Sequence, residues 1–483
     1  MNTFGRREFL RTAGGAGLGA ALAPGVLRAA DTPAGRRPNV VLIISDDMGY
    51  ADMPGYGKDM EIPMPQMDRL RRGGVTLTDA YVSGPICVPS RMGIVTGRHQ
   101  ARWGVYTNVY GGAPFDRFQQ EKTIAEYFRD AGYATALIGK WHLSGNGNIA
   151  AMPPEHRPDA RGFDEIEIIP GGMSGYVDGP RLYHKGGTFS AAPEYLTDHF
   201  GKRAVDFIVR SKKDPFFLYL AFNAVHAPLH APDEDVEAAG GLDGYDRSRY
   251  VPDLKVGNRE PKMDRRVYGA MMRALDRNIG RVLDALDAAG VADDTLIFFV
   301  NDNGGPSLTS AVHSYNQASN APYRGGKFDC LEGGVRVPMA IRWPGRVPAD
   351  KAFSGLSSAM DILPTALMAC GIARPEDRPL DGVNLLPFLD GSRAGDPHES
   401  LCWQIYFGNE KQTGQAAIRR GTWKLHQNAP VRTGPVAGSW ALYDLAADPG
   451  ETIDVAAANP DVVARLSKDW TRWRAGMADM DGR

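Results

Sequence analysis

Val40-Val41-Leu42-Ile43-Ile44-Ser45-Asp46-Asp47 decides the fold of this chain. Five apolar residues in succession, mostly β-branched, leave no polar face, the pattern of a strand buried on both sides. The run stops at two adjacent carboxylates. At the end of a buried strand such a pair is costly unless a cation or hydrogen bonds hold it. Asp46 and Asp47 therefore read as candidate metal ligands rather than as a solvated turn with a helix cap.

Three more segments repeat the pattern. Thr123-Ile124-Ala125-Glu126 fits a capping box, and Ile124, Tyr127, Phe128 and Ala131 follow at helical spacing until Gly132. A strand is predicted over residues 133–138, with Gly139-Lys140-Trp141-His142 just beyond it. Residues 216–222 form another apolar strand, running into Asn223-Ala224-Val225-His226-Ala227-Pro228. Tyr268, Met271, Leu275, Ile279, Val282 and Leu286 make the buried stripe of a long helix over 266–289, stopped by Gly290. A fourth strand, 295–300, ends at Asn301-Asp302-Asn303-Gly304-Gly305. Strands alternating with helices predict an α/β sandwich. In such sheets ligands bind beyond the carboxyl ends of the strands, so Asp46/Asp47 and Asp302/Asn303 are expected in one crevice.

The 483 residues carry 43% hydrophobic and 23% charged side chains, ordinary for a globular chain long enough for more than one domain. A net charge of −2 gives no sign of a nucleic-acid partner. The four cysteines, Cys87, Cys330, Cys370 and Cys402, contain no Cys-x-x-Cys pair, which argues against zinc. Arg6-Arg7-Glu8-Phe9-Leu10, followed by a Gly/Ala-rich apolar run, makes residues 1–30 a twin-arginine export signal. A periplasmic or secreted location and the twin-arginine export machinery as a partner follow from that reading. Residues 390–397 look like a linker. Short strands at 401–407, 415–419 and 422–426, then a helix from Pro460 with Val463, Leu466, Trp470, Trp473 and Met477 on one face, predict a small α+β domain over 398–483.

Gly84-Pro85 marks a turn, and Met92, Ile94 and Val95 look like the buried face of a short helix. Cys87 then sits where a loop enters that helix, and the helix-end potential with Arg91 suits an anion. A lone cysteine would be only a small buried hydrophobe. The whole run Cys87-Val88-Pro89-Ser90-Arg91, continuing to Thr96-Gly97-Arg98, resembles the signature of the formylglycine-dependent sulfatases of the alkaline phosphatase superfamily. The stretch from Gly132 through Gly139-Lys140-Trp141-His142 is similar to that family's second signature. Arg324-Gly325-Gly326-Lys327, with Glu332-Gly333-Gly334-Val335-Arg336-Val337-Pro338, is similar to its late lysine motif. Arg161-Gly162-Phe163-Asp164 and Leu442-Tyr443-Asp444-Leu445 with Asp448-Pro449 also recur in the family, whereas Val225 stands where relatives often have proline.

The resemblance implies an alkaline-phosphatase-like α/β/α sandwich over 36–390 and a sulfuric ester hydrolase of sulfated saccharides or aryl sulfates. It implies that a formylglycine-generating maturation enzyme oxidises Cys87, and that Asp46, Asp47, Asp302, Asn303 and the converted Cys87 hold a metal. Hard oxygen ligands in that number suit calcium ahead of magnesium. By the same resemblance Arg91 and Lys140 hold the formylglycine oxygens and His142 is the base for sulfate release. Lys140, His226 and Lys327 contact the substrate, the last two binding sulfate and assisting the leaving oxygen. Two rival readings are a phosphate or phosphonate monoester hydrolase of the same superfamily and a non-catalytic sulfated-glycan binder. Loops 106–118, 171–196, 240–262 and 307–323 are candidate specificity loops; His230, His313, Ser174 and Asn320 have no assigned role.

Overall fold

The computed structural model describes residues 37–57, 62–109, 111–144, 149–242, 265–306, 316–406, 414–427 and 440–478. The predicted export signal, His313 and most of loop 240–262 lie outside them. Four parallel strands form the centre of the main sheet: β1 (Asn39–Ser45), β2 (Ala134–Lys140), β3 (Phe216–Ala221) and β4 (Thr295–Asn301), in the order β4-β1-β3-β2. Beyond β4 the sheet continues through Met339–Arg342, Val75–Leu77 and Lys351–Phe353; beyond β2 it continues through Glu165–Ile169, Arg181–His184 and Thr188–Ala191.

Strand alternation sends successive residues to opposite faces. Val40, Leu42 and Ile44 pack with Phe217, Tyr219, Phe298 and Val300 under helix α1 (Cys87–Thr96) and the helices Ile124–Asp130 and Ile362–Ala369. Val41 and Ile43 join Leu218, Leu220, Ile297 and Phe299 on the other face, under Leu196–Ser211 and α2 (Arg265–Ala288). The result is a three-layer α/β/α sandwich. Both faces of β1 are covered, which is why its sequence shows no polar alternation.

β2 runs further than predicted. Gly139 and Lys140 belong to the strand, and Gly139 has φ +109° with no room for a side chain, since a Cβ there would meet the Ala221 carbonyl oxygen at 1.9 Å. This glycine lets β2 close on β3 at the point where Lys140 is delivered to the site.

The C-terminal sheet is antiparallel, in the order Leu401–Tyr406, Gly414–Arg420, Trp423–Gln427, Trp440–Asp444. Its last strand was not predicted. Leu466 of helix Pro460–Ala475 packs on Ile418, Leu425 and Leu442 of this sheet. Met477 lies past the end of that helix and packs instead near Ala101, Tyr106 and Tyr406. The linker-like segment is tied down, with Asp396 accepting the Leu356 N–H at 3.0 Å. A buried seam of charge joins the sheet to the main body. Lys424 donates to Glu332 at 2.8 Å and lies 3.2 Å from Glu451, while Asp79 binds both Arg336 at 2.6 Å and Arg419 at 2.7 Å. Among the described residues no helix is long and apolar enough to cross a membrane.

Candidate active site

β1 and β4 end side by side. The Asp302 N–H donates to the Ser45 carbonyl at 3.1 Å, and the Asp46 N–H to the Ala224 carbonyl at 3.0 Å, so the exits of β1, β3 and β4 are laced together. Asp47 then takes a left-handed backbone (φ +58°), a conformation that aspartate tolerates better than most residues. Above these exits, α1 begins on Cys87 itself, and every residue of the helix is buried. No side chain of α1 caps its start; the Val88 N–H is taken by Asn108 Oδ1 at 3.1 Å.

The structure brings the sequence-predicted residues into one region, His142 feeling the charges of Lys140, Arg91 and Lys327. Cys87 Sγ lies 4.0 Å from Asp46 Oδ1 and 3.8 Å from Lys140 Nζ. Lys140 also donates to Asp46 Oδ2. Arg91 directs Nε and Nη2 at Asp302 Oδ2 (2.9 and 2.8 Å), reaches Asp46 Oδ2 at 3.6 Å, and donates from Nη1 to the Lys140 carbonyl at 3.1 Å. Asp47 accepts from Asn303 Nδ2 at 2.7 Å and from Lys327 Nζ at 2.8 Å, with His226 Nε2 at 3.5 Å. His142 is buried with φ +57°, and its ring lies against Gly172.

Burial and neighbouring charge act on each group. Burial pushes the Cys87 thiol up to about 12, further than Lys140 and Lys327 can draw it back, so the protein's own charges do not make it a thiolate at neutral pH. Burial also pushes the Asp47 carboxyl up, but Lys327 and His226 outweigh this and hold it below the usual range. For Lys327, burial opposes the charge and Asp47 more than restores it, so the ammonium persists. His142 is held well below the ordinary histidine range by burial, then by Lys140, Arg91 and Lys327, which keeps its imidazole neutral. His226 is lowered by burial and Lys327 against the pull of Asp47. Its Nδ1 lies 2.6 Å from the Ala227 carbonyl, which can only accept, so Nδ1 carries a proton and Nε2 is the nitrogen that titrates.

The carboxylate oxygens of Asp46 and Asp47 are hard donors of the kind a divalent cation takes, while the sulfur and imidazole beside them are softer. One oxygen each of Asp46 and Asp47, Cys87 Sγ and a His226 nitrogen all lie within 4.8 Å of one another. Asn303 Oδ1, fully buried, has no hydrogen-bond partner among the described residues. Three carboxylates are matched by three cations, Asp46 by Lys140, Asp47 by Lys327 and Asp302 by Arg91. A net attraction for an anion therefore needs further positive charge, which a metal ion held by these oxygens would supply.

Several residues that shape the site were not identified from the sequence. Asn301 accepts from Ser45 Oγ (2.8 Å) and the Met48 N–H (3.1 Å), and donates to the Met48 carbonyl at 2.9 Å. Asn316 donates to the carbonyls of Asp47 (2.7 Å) and Val225 (3.2 Å). Asn320 accepts the N–H groups of Tyr50 (3.3 Å) and Gly305 (3.0 Å) and donates to the carbonyls of Gly305 (2.7 Å) and Gly325 (3.1 Å). It thereby joins the loops that carry Asp46/Asp47, Asp302/Asn303 and Lys327. Asn301 and Asn320 were visible as polar loop residues, but nothing in their spacing announced these bridges.

Comparisons with known proteins agree with the geometry. A family model described as Sulfatase matches residues 38–372, and one described as N-sulphoglucosamine sulphohydrolase, C-terminal, matches residues 327–475. The N-acetylgalactosamine-6-sulfatase of Canis lupus familiaris is 32% identical over 412 residues, covering 79% of this chain and 69% of that protein. An uncharacterized sulfatase of Escherichia coli (strain K12), YdeN, is 31% identical over 412 residues, covering 76% of this chain and 68% of that protein. The crystal structure of Ps i-CgsB in complex with k-i-k-neocarrahexaose matches with a TM-score of 0.76 at 31% identity, covering 92% of this chain and 95% of that one.

Proposed function

The chain belongs to the sulfatase family and hydrolyses sulfate esters, and from that premise we propose that it acts on sulfated saccharides with a formylglycine at position 87 beside a calcium ion. The saccharide class is supported by the k-i-k-neocarrahexaose in one similar structure and by the name N-acetylgalactosamine-6-sulfatase of a relative. The comparisons support sulfate-ester hydrolysis and favour neither the phosphate-monoester hydrolase nor the non-catalytic binder. Export through the twin-arginine route is part of the same reading and rests on Arg6-Arg7.

Asp46, Asp47, Asp302 and Asn303 would hold the metal, with the side chain of residue 87 as a further ligand. A hydrated formylglycine at position 87 would supply two hydroxyls on one carbon, one as nucleophile toward sulfur and one whose loss of a proton lets sulfate leave, and a metal held there would supply polarisation of the ester oxygens. Arg91, fixed by Asp302 and the Lys140 carbonyl, keeps α1 aligned over the carboxylates. Lys140 and Lys327 place ammonium groups where the sulfate oxygens bind, at fixed positions that need no reorganisation during the reaction. His142, held neutral, takes a proton as sulfate departs. In its protonated form, which Asp47 and Asp46 favour, His226 donates from Nε2 toward the leaving alcohol oxygen, because Nδ1 is committed to Ala227.

The observation that carries this reading is the convergence of Cys87, Asp46 and Lys140 within 4.0 Å at the carboxyl ends of the strands. The test is the intact mass of the peptide spanning position 87 in active protein, together with turnover of an aryl sulfate and the matching aryl phosphate. Formylglycine mass and a preference for sulfate are expected. Full activity with an unmodified thiol would overturn the nucleophile, and preference for phosphate would overturn the substrate class.

A further inference from the structure

We propose that the strap of residues 170–176, which leaves the sheet after strand Glu165–Ile169, is the positioning element for both His142 and His226. The proposal rests on the roles given above to the two histidines. Its first anchor is Gly172. The backbone there is not left-handed, so conformation alone does not call for glycine. Space does: a Cβ at 172 would stand 2.3 Å from His142 Nε2, 2.4 Å from Cε1 and 3.0 Å from Cδ2. The missing side chain is the volume that the imidazole occupies. The second anchor is Tyr176, fully buried, whose hydroxyl lies 2.5 Å from the Asn223 carbonyl and 2.9 Å from that of His226. The Asn223 carbonyl also accepts the His226 N–H at 2.9 Å, so this phenol closes the turn that presents His226. Within five residues the strap thus touches the ring of one histidine and the backbone of the other.

The two anchors act on different halves of the reaction, and this separates them from a general structural role. Loosening His226 weakens proton delivery to the leaving oxygen, so the loss grows as the alcohol becomes a poorer leaving group. Displacing the His142 ring weakens a step after the alcohol has left, whose rate is the same for every ester, so the loss is largest for esters whose alcohol leaves fast.

The experiment uses the full chain carrying Tyr176→Phe or Gly172→Ala, assayed with 4-nitrophenyl sulfate and with an unactivated alkyl sulfate. A displacement of about 1 Å at a reacting group costs on the order of 10²-fold in rate. Tyr176→Phe is expected to lose about that factor on the alkyl ester and far less on the activated aryl ester. Gly172→Ala is expected to lose about that factor on the activated aryl ester, with a first-turnover burst of nitrophenol ahead of slow sulfate release, and less on the alkyl ester. Separately, with histidine rings isotopically labelled, the His142 ring signals should move in Gly172→Ala and the His226 signals in Tyr176→Phe, each alone. Unmoved ring signals overturn the strap as a positioning element, whatever the rates. Signals that move while the rate pattern stays unchanged overturn instead the roles assigned to the histidines. The Gly172→Ala clash is with a side chain rather than backbone, so this variant should fold; loss of fold in both variants would make the strap purely structural and end the proposal.

Discussion

Replacing Glu451 by glutamine probes the seam of charge under the C-terminal sheet. Glu451 is fully buried; its carboxylate accepts the Glu332 N–H at 2.7 Å and shares Lys424 with Glu332. Burial raises its pKa, Lys424 offsets part of the rise and Glu332 adds to it, bringing it from 4.5 to about 7. The folded protein therefore holds this proton more tightly than the unfolded chain does. The resulting stabilisation is complete below the unfolded pKa and is lost as pH rises through the folded one. Each pKa unit is worth about 1.4 kcal/mol, so the loss between pH 4.5 and pH values above 7 is about 3 kcal/mol. Glutamine keeps the shape and an acceptor for the Glu332 N–H but has no proton to lose. The stability of Glu451→Gln relative to wild type should accordingly shift in the variant's favour by about 3 kcal/mol across that window. Denaturation of both proteins in parallel, at saturating calcium and a series of pH values, measures this difference with every other titration common to both. A difference that stays flat with pH would refute the reasoning.

Other outcomes follow from the same geometry. Lys424→Met removes the cation that Glu332 and Glu451 share, and breaking such a buried pair should cost about 3–5 kcal/mol at neutral pH, read by denaturation. Arg91→Lys keeps the charge but loses the fork that serves Asp302 and the Lys140 carbonyl; kcat should fall by about 10²-fold, and unchanged kcat would remove Arg91 from the site's alignment. Asn303→Ala deletes the buried unpartnered oxygen, so calcium affinity by calorimetry should weaken by about tenfold or more, whereas an unchanged affinity would exclude it as a ligand. Asn320→Ala removes the acceptor of the Tyr50 and Gly305 N–H groups, and at about 1–3 kcal/mol for each unsatisfied buried group the thermal midpoint should drop sharply.

What could be read from the sequence and what could not divides along one physical line. Burial on both faces leaves a signature in consecutive residues, so β1, β3 and β4 were legible from Val40–Ile44, 216–222 and 295–300, each within a residue or so of its observed ends. Carboxylates placed where such strands stop were legible for the same reason, since an apolar run ending in Asp46-Asp47 or Asn301-Asp302-Asn303 is improbable without a use for the charge. The end of β2 was missed because Gly139 looks like a terminator, whereas in three dimensions it is the residue that lets β2 approach Ala221. Strand Trp440–Asp444 was missed because its five residues are too few to complete a pattern; it is stabilised by antiparallel pairing with the preceding strand, Trp423–Gln427. The bridging amides Asn301, Asn316 and Asn320 and the strap anchors Gly172 and Tyr176 leave no pattern either. Each is defined by what it touches two or more loops away, from Asn316 on Asp47 to Gly172 against His142, and a side-chain amide, a phenol or an absent Cβ has no periodicity to betray it. The charged groups proposed to do the chemistry were therefore easier to single out than the neutral groups that hold them in place. Substitution of those neutral positions is the sharper test of the site, because it alters geometry without altering the charge balance of three carboxylates against Arg91, Lys140 and Lys327.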